Sequence, residues 1–340
     1  MTWKAGVNGG GVIMADILVL FDSDEKVPMT VLPKHIEEMK QAISGDVFWY
    51  KDEDSVLSDG VDAEILFFWG GNRKPPMRFI EKTKKLKWLH TFSAGIDPII
   101  NSPVRDMDVI VTNAKGVHGY SMAVVGIGCI IALLRDFPLY SKRQRDHVWK
   151  KETAVLPREI WDQTLVILGA GAVGVHLARL AKAFDMRVIG VKRTILPLEN
   201  YDVILPDSRM EEALAQADIV VNLIPAMPET RHLIDAEKFK AMKPSAYFIN
   251  LSRGIVVDEK ALADALKSGL IAGAAIDTVE EEPLSPDSPL WDIDNIILTP
   301  HCSADGVSLM DRSVAQFCEL ARSYEAGKPL SNQVDMEKGT

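Results

Sequence analysis

Residues 164–174, TLVILGAGAVG, constrain the fold of this chain more than any other stretch. Thr164 to Leu168 are apolar or β-branched throughout, the pattern of a strand buried on both faces in a parallel sheet. The run enters glycines at 169, 171 and 174, after which Val173, Leu177, Leu180, Ala181 and Phe184 recur at helical spacing. Strand, tight glycine turn and amphipathic helix in that order open a dinucleotide-binding α/β unit. In such a unit Gly169 permits the turn, Gly171 lets backbone approach a pyrophosphate, and Gly174 lets the helix lie close on the sheet. The helix start, at Ala172 and Val173, turns exposed N–H groups and the positive end of the dipole toward the diphosphate.

The alternation continues along the chain. Strands are expected near 17–21, 47–50, 65–69, 88–92 and 109–112, then near 187–191, 219–222, 246–250, 271–277 and 296–298, with helices over 33–44 and 77–83 in the first half. Such βα repetition predicts an α/β protein with mainly parallel sheets, and 340 residues suit about two domains. Val307, Met310, Val314, Phe317, Ala321 and Tyr324, spaced three and four apart, describe a final amphipathic helix with no strand after it. A helix without its own sheet must pack on an existing core, and it is expected to return to the first domain.

A net charge of -10 provides no general attraction for nucleic acid or anionic lipid, so a small-molecule partner is expected. Cys129, Cys302 and Cys318 show no zinc-ligand or CxxC spacing, which argues against a metal site or a disulfide framework and fits a reducing cytoplasm. The longest apolar stretch, 121–134, is shorter than the roughly 20 residues that cross a bilayer and reads as a buried helix. Residues 1–14 are glycine-rich, do not resemble a secretory signal, and are expected to form a flexible extension.

Chemistry-bearing residues fall where predicted strands run out, the edge at which open α/β sheets bind ligands. An NAD site usually places an acid about 20 residues after the glycine turn to hold the ribose hydroxyls. That place reads Lys192, Arg193, Thr194, two cations and a hydroxyl that suit a 2′-phosphate, so NADP(H) is favoured over NAD(H). Arg253 in NLSRG, Glu282 in DTVEEEPL and His301 in TPH follow in order. A guanidinium can grip a carboxylate and polarise a carbonyl, an imidazole can exchange a proton near neutral pH, and a carboxylate beside it favours the protonated form. Together they point to hydride transfer to the carbonyl of a 2-keto acid.

At these residues the chain resembles the D-isomer-specific 2-hydroxyacid dehydrogenase family, over nearly everything from residue 15 to 328. NAKGVHGYSMA, GAGAVG, PAMPETRHLID, NLSRGIVVDE, DTVEEEPL and TPH carry the resemblance in order. It implies two Rossmann or flavodoxin-like domains with the active site in the cleft between them. The substrate domain would comprise 15–112 with 302–335, and the dinucleotide domain 113–301. By the same resemblance Arg253 binds and polarises substrate, His301 transfers the proton and Glu282 orients it. Asp277 would contact the nicotinamide carboxamide, Ile224, Leu251 and Ser252 would line the cofactor, and Ala94 and Gly95 would hold the substrate carboxylate. Trp69 and Gly70 are candidate pocket walls, although Trp69 equally suits a strand-end core position. Family members are commonly homodimers joined through nucleotide domains, which would put the helix of residues 120–134 in an interface; the alternative is that it is core. Val124 stands where the family often has Glu, and Lys192 where it often has Asp. Small substrates such as glyoxylate or hydroxypyruvate are expected. Formate or phosphite oxidation on the same scaffold, or dinucleotide sensing like that of the related C-terminal binding protein corepressors, are the alternatives.

Overall fold

The computed structural model describes residues 13–21, 30–69, 74–151 and 156–336. Gly70, a candidate substrate contact, and most of the expected N-terminal extension lie outside the described residues. Ile13 and Met14, expected within that extension, instead pair with Val61 and Asp62 in the first sheet.

The chain divides into two units, residues up to 118 with those from 306 onward, and Gly119–Asp305. In the first, strands β1 (Ile13–Phe21), β2 (Val47–Tyr50), β3 (Val61–Trp69), β4 (Trp88–Thr91) and β5 (Ile110–Asn113) form a parallel sheet of order β2-β1-β3-β4-β5. Successive side chains of a strand point to opposite faces, and β1 follows that rule. Ile17, Val19 and Phe21 enter one core, and Leu18 and Leu20 enter the other. The helix Leu309–Glu325 supplies Met310, Val314, Phe317 and Ala321 to the first of these cores. Phe317 stacks on Phe67 and Trp88 with ring centroids 4.8 and 5.3 Å away. Val307, expected on that face, precedes the helix and is fully exposed.

The chain switches units after His118 and again after Asp305, a few residues beyond 112 and 301. Hydrogen bonding accounts for the difference. Asn332 donates its side-chain amide to the carbonyls of Asn113 and Lys115 at 3.2 Å, and Arg312 reaches the Val117 carbonyl at 3.3 Å. Cys302 and Ser303 stay with the second unit because their N–H groups bond to Asp277.

The second unit contains β6 (Thr164–Leu168), β7 (Arg187–Val191), β8 (Val203–Leu205), β9 (Ile219–Asn222), β10 (Tyr247–Asn250), β11 (Gly273–Ile276) and β12 (Ile296–Leu298). These are parallel, in the order β12-β11-β10-β9-β6-β7-β8. Leu165 to Leu168 are each wholly buried, with Val166 and Leu168 in one core and Leu165 and Ile167 in the other. Burial on both faces explains the unbroken apolar reading of β6. The three-residue β8 was not anticipated, since it is too short to carry a periodic signal.

The helix Ala172–Lys182 buries Gly174, Leu177, Ala178 and Ala181. Phe184, expected on that face, lies past the helix end and is exposed, and Met186 takes the buried place. The helix Gly119–Leu134 packs its Ala123, Gly126, Ile127 and Ile130 into the same core. Gly126 belongs there because a Cβ would stand 3.3 Å from both Leu177 and Leu251. Tyr120 and Val124 remain exposed on the opposite side. Among the described residues no single helix is long and apolar enough to cross a membrane.

Candidate active site

In the second unit the strand order reverses between β6 and β9, and ligands of open α/β sheets bind at the carboxyl edge beside such a reversal. The glycine turn leaves β6 there. Gly169 has φ 88°, a conformation that side chains other than glycine seldom adopt, and a Cβ would lie 2.8 Å from the Leu223 carbonyl after β9. Gly174 leaves room for Tyr201, whose hydroxyl would sit 2.8 Å from a Cβ. Gly171 differs from both, because no protein atom lies within 4 Å of where its Cβ would be. Its missing side chain serves open space at the N-terminus of the helix Ala172–Lys182, where backbone donors and the helix dipole favour a phosphate.

That open space belongs to a cavity of about 620 Å³ reaching from Gly169 and Gly171 to Lys192, Arg193 and Thr194, with Ile224 on its wall. Lys192 is half-buried and its N–H bonds to the Leu205 carbonyl, which fixes the backbone just past β7. Arg193 is 62% exposed and faces Glu229 at 3.6 Å. A third cation, Lys238, lines the same cavity and pairs with Glu211 at 3.1 Å. Sequence reading missed it because it stands 46 residues beyond Lys192, in a helix with no motif. The turn and the cavity fit a dinucleotide, with Gly171 open to the pyrophosphate and cations at the far end.

Arg253, Asp277, Glu282 and His301 leave the carboxyl ends of β10, β11 and β12, which are consecutive neighbours in the sheet. His301 Nδ1 lies 2.8 and 3.0 Å from the two carboxylate oxygens of Glu282. The imidazole is 21% exposed and has φ 52°, an uncommon conformation for a residue with a side chain. Asp277 holds it there. The Asp277 carbonyl accepts the His301 N–H at 2.7 Å. Its carboxylate, 3% exposed, accepts from Thr299 Oγ1 (2.7 Å), the Cys302 N–H (2.9 Å) and the Ser303 N–H (3.1 Å). A carboxylate has about four acceptor positions, and these bonds occupy three of them. Asp277 thus pins the whole turn that carries the imidazole. A cavity of about 630 Å³ borders Asp277, Glu282 and His301.

Arg253 is half-buried in the turn after β10, and its Nη1 donates to the Ser252 carbonyl at 3.0 Å. Leu251 and Ser252 are buried behind it, and the Ser252 hydroxyl donates to the Ile224 carbonyl. Gly254 explains the local sequence, since a Cβ there would stand 1.9 and 2.0 Å from the carbonyl carbon and oxygen of Val279. The turn carrying Arg253 therefore lies directly on the loop that leads to Glu282.

Two buried asparagines tie these loops together, and sequence reading passed them over. Asn222 and Asn250 close the adjacent strands β9 and β10 in register, and the Asn222 side chain donates to Asn250 Oδ1 at 3.0 Å. Asn222 accepts the Ile224 N–H at 3.2 Å, and the Asn250 amide reaches Thr278 Oγ1, also at 3.2 Å. The available signal was the pair of apolar runs IVVN and YFIN, each ending in the same polar residue.

In the first unit, Ala94 and Gly95 follow β4, and the Ala94 carbonyl accepts from Asn113 Nδ2 at 2.8 Å. Trp69 ends β3 with its ring 5.3 Å from Phe21 and 6.0 Å from Phe92, at the edge of the core. Packing of this kind accounts for Trp69 without a ligand.

Comparison with known proteins points to one family. A sequence model described as "D-isomer specific 2-hydroxyacid dehydrogenase, NAD binding domain" matches residues 127–303. A glyoxylate reductase of Korarchaeum cryptofilum is 31% identical, with 83% of this chain and 82% of that protein covered. A D-isomer specific 2-hydroxyacid dehydrogenase of Xanthobacter autotrophicus, solved with NADPH and MES, is 31% identical with a TM-score of 0.79, covering 96% of this chain and 100% of that one. An NADPH-dependent glyoxylate/hydroxypyruvate reductase of Sinorhizobium meliloti, solved with NADP and sulfate, is 25% identical with a TM-score of 0.78, covering 95% and 99%. With its glycine turn at the sheet reversal and its arginine, carboxylate and imidazole on neighbouring strand ends, the chain belongs to the D-isomer specific 2-hydroxyacid dehydrogenase family, oxidoreductases of small 2-hydroxy and 2-keto acids that use a nicotinamide dinucleotide.

Proposed function

We propose that this protein reduces a small 2-keto acid of the glyoxylate or hydroxypyruvate kind to the D-2-hydroxy acid, with NADPH preferred to NADH. The observation that carries this reading is the His301–Glu282 pair, fixed by Asp277 on a positive-φ turn at the sheet edge. Arg253 would bind the substrate carboxylate with its planar fork and draw electron density from the carbonyl oxygen. His301 would deliver its proton through Nε2 to that oxygen as negative charge develops there, since Nδ1 is engaged by Glu282. Glu282 would hold the ring through Nδ1 and so orient Nε2 for the transfer. Ala94 and Gly95 would meet the substrate carboxylate from backbone donors. The reduced dinucleotide supplies the hydride when bound. Its diphosphate would lie on the turn at Gly171, Ala172 and Val173, with Ile224, Leu251 and Ser252 toward its nicotinamide half and Asp277 toward the carboxamide. Turnover of a panel of 2-keto acids, formate and phosphite with each cofactor tests the reading. Activity on formate or phosphite alone would replace it.

The cofactor preference rests on Lys192, Arg193 and Thr194 beside the turn, and the Xanthobacter and Sinorhizobium relatives were solved with NADPH or NADP. A charge-assisted hydrogen bond contributes about 1.5–3 kcal/mol, so Lys192→Ala with Arg193→Ala is expected to raise the KM for NADPH by about 10- to 100-fold. The KM for NADH should stay nearly constant. An unaltered ratio of the two would remove the argument.

A homodimer through the nucleotide-binding units belongs to the same proposal. Tyr120 and Val124 on one helix, then Phe137, Tyr140, Val148 and Trp149, are exposed apolar groups following one another in the chain, and Trp149 is wholly exposed. A helix can serve core and interface on opposite faces, which suits Gly119–Leu134. Trp149→Ser is expected to shift the mass in solution from dimer toward monomer, as light scattering would read; a monomeric parent chain would refute the interface.

A further inference from the structure

Beside the catalytic pair lies a cluster of charged groups, in the same unit, that the mechanism does not use. Glu280 Oε1 meets Arg231 Nη2 at 2.5 Å, and its Oε2 meets His232 Nε2 at 2.9 Å. The Glu280 N–H donates to the carboxylate of Glu259, whose pKa is raised by burial and by the nearby charge of Glu280. Arg231 supplies a permanent counter-charge to Glu280, and His232 a second hydrogen bond. The Glu280 carboxyl is held below its ordinary range, first by the hydrogen bond from His232.

An exposed ion pair on a loop ordinarily contributes little. Three features set this one apart. The two oxygens of Glu280 are divided between two consecutive residues, so the carboxylate is oriented as well as neutralised. His232 stands at φ 50° and donates its N–H to the Ile255 carbonyl at 2.9 Å, a strained conformation of the kind kept where the surroundings over-determine it. The peptide joining Val279 and Glu280 is also the surface on which Gly254 rests without room for a Cβ. The charged cluster, the turn after Arg253 and the loop before Glu282 thus meet at one residue.

We infer that Glu280 is a positioning residue, whose carboxylate, clamped by Arg231 and His232, holds the Glu282 loop in fixed register against the turn that bears Arg253. The inference rests on the assignment of Arg253, Glu282 and His301 to the chemistry. Loosening the clamp would let Glu282 drift from His301 Nδ1 and let the Arg253 turn shift, while the dinucleotide cavity around Gly171 and Arg193 stays intact.

The test compares the parent chain with Glu280→Ala and Glu280→Gln in glyoxylate reduction with NADPH, together with amide hydrogen exchange over residues 278–284. Displacing catalytic groups by about 1 Å costs up to about 100-fold, so Glu280→Ala should lower kcat by about 10- to 100-fold with the KM for NADPH within about twofold. Exchange over 278–284 should quicken at unchanged global stability. Glu280→Gln, which keeps an acceptor, should recover much of both. A kcat within about twofold of the parent, or unchanged exchange, would overturn the inference. Exchange is read without turnover, so a parent chain inert toward every 2-keto acid would sink the reductase reading while exchange still decided the clamp. If Glu280→Ala does not fold, His232→Gln and Arg231→Gln test the same clamp from its other side, with smaller losses in the same direction.

Discussion

Replacing His301 by Ala is expected to lower kcat for 2-keto acid reduction by about 10²- to 10⁴-fold, the usual contribution of a positioned general acid. Dinucleotide affinity should persist, because the cavity bordered by Gly171 and Arg193 contains no part of the imidazole. The combination matters more than either result alone. A substitution that damaged the fold would reduce both, and one that removed only substrate binding would raise KM with kcat preserved. His301 occupies a backbone conformation that alanine adopts with some strain, so His301→Gln, a polar residue closer in size, is the companion variant. Glu282→Gln should fall between the parent and His301→Ala, since an amide can hold the ring without stabilising its charge. Measuring kcat by loss of NADPH absorbance and affinity by fluorescence titration checks all three variants. Full turnover in His301→Ala would exclude the imidazole as proton donor.

Gly254→Ala is expected to destabilise the second unit by about 3 kcal/mol, the upper part of the range for overpacking a closely packed site. The new methyl would fall 1.9 Å from the Val279 carbonyl carbon, and the obstruction is main chain, which cannot rotate away as a side chain would. Relief requires moving the Arg253 turn off the loop that carries Glu282, so turnover in the folded fraction should fall as well. Gly171→Ala is the informative contrast. With no protein atom within 4 Å of the new methyl, the fold should tolerate it, while dinucleotide affinity should drop because the methyl enters the space left for the pyrophosphate. Urea unfolding and dinucleotide titration separate the two. Equal stability of Gly254→Ala and the parent would contradict the packing seen at this contact.

Strands with strong patterns lie close to where the sequence puts them, as β6, β7 and β9 do without adjustment of either end. The differences come where local pattern is a poor guide. Phe184 keeps helical spacing beyond the point at which the helix Ala172–Lys182 ends, and Val307 does so before Leu309–Glu325 begins. In both places spacing persists in sequence after backbone hydrogen bonding has ended. Asp277 shows a different gap. Its position at a strand end was legible, but the three bonds its carboxylate makes to the turn of residues 299–303 were not, because the partners lie 22 to 26 residues away and carry no motif that names them.

The amino-acid order by itself determined the βα rhythm, the glycine turn, the cations after β7 and the identity of the arginine, carboxylate and imidazole. Those are local properties, set by the two-residue and 3.6-residue periods of the backbone and by the steric freedom of glycine. Only the tertiary structure decided that β10, β11 and β12 lie side by side, that Glu282 reaches His301, and that Gly254 presses on the Glu280 loop. Each depends on which strands become neighbours, and strand order is settled by packing between segments far apart in the chain, of which no single segment holds a record.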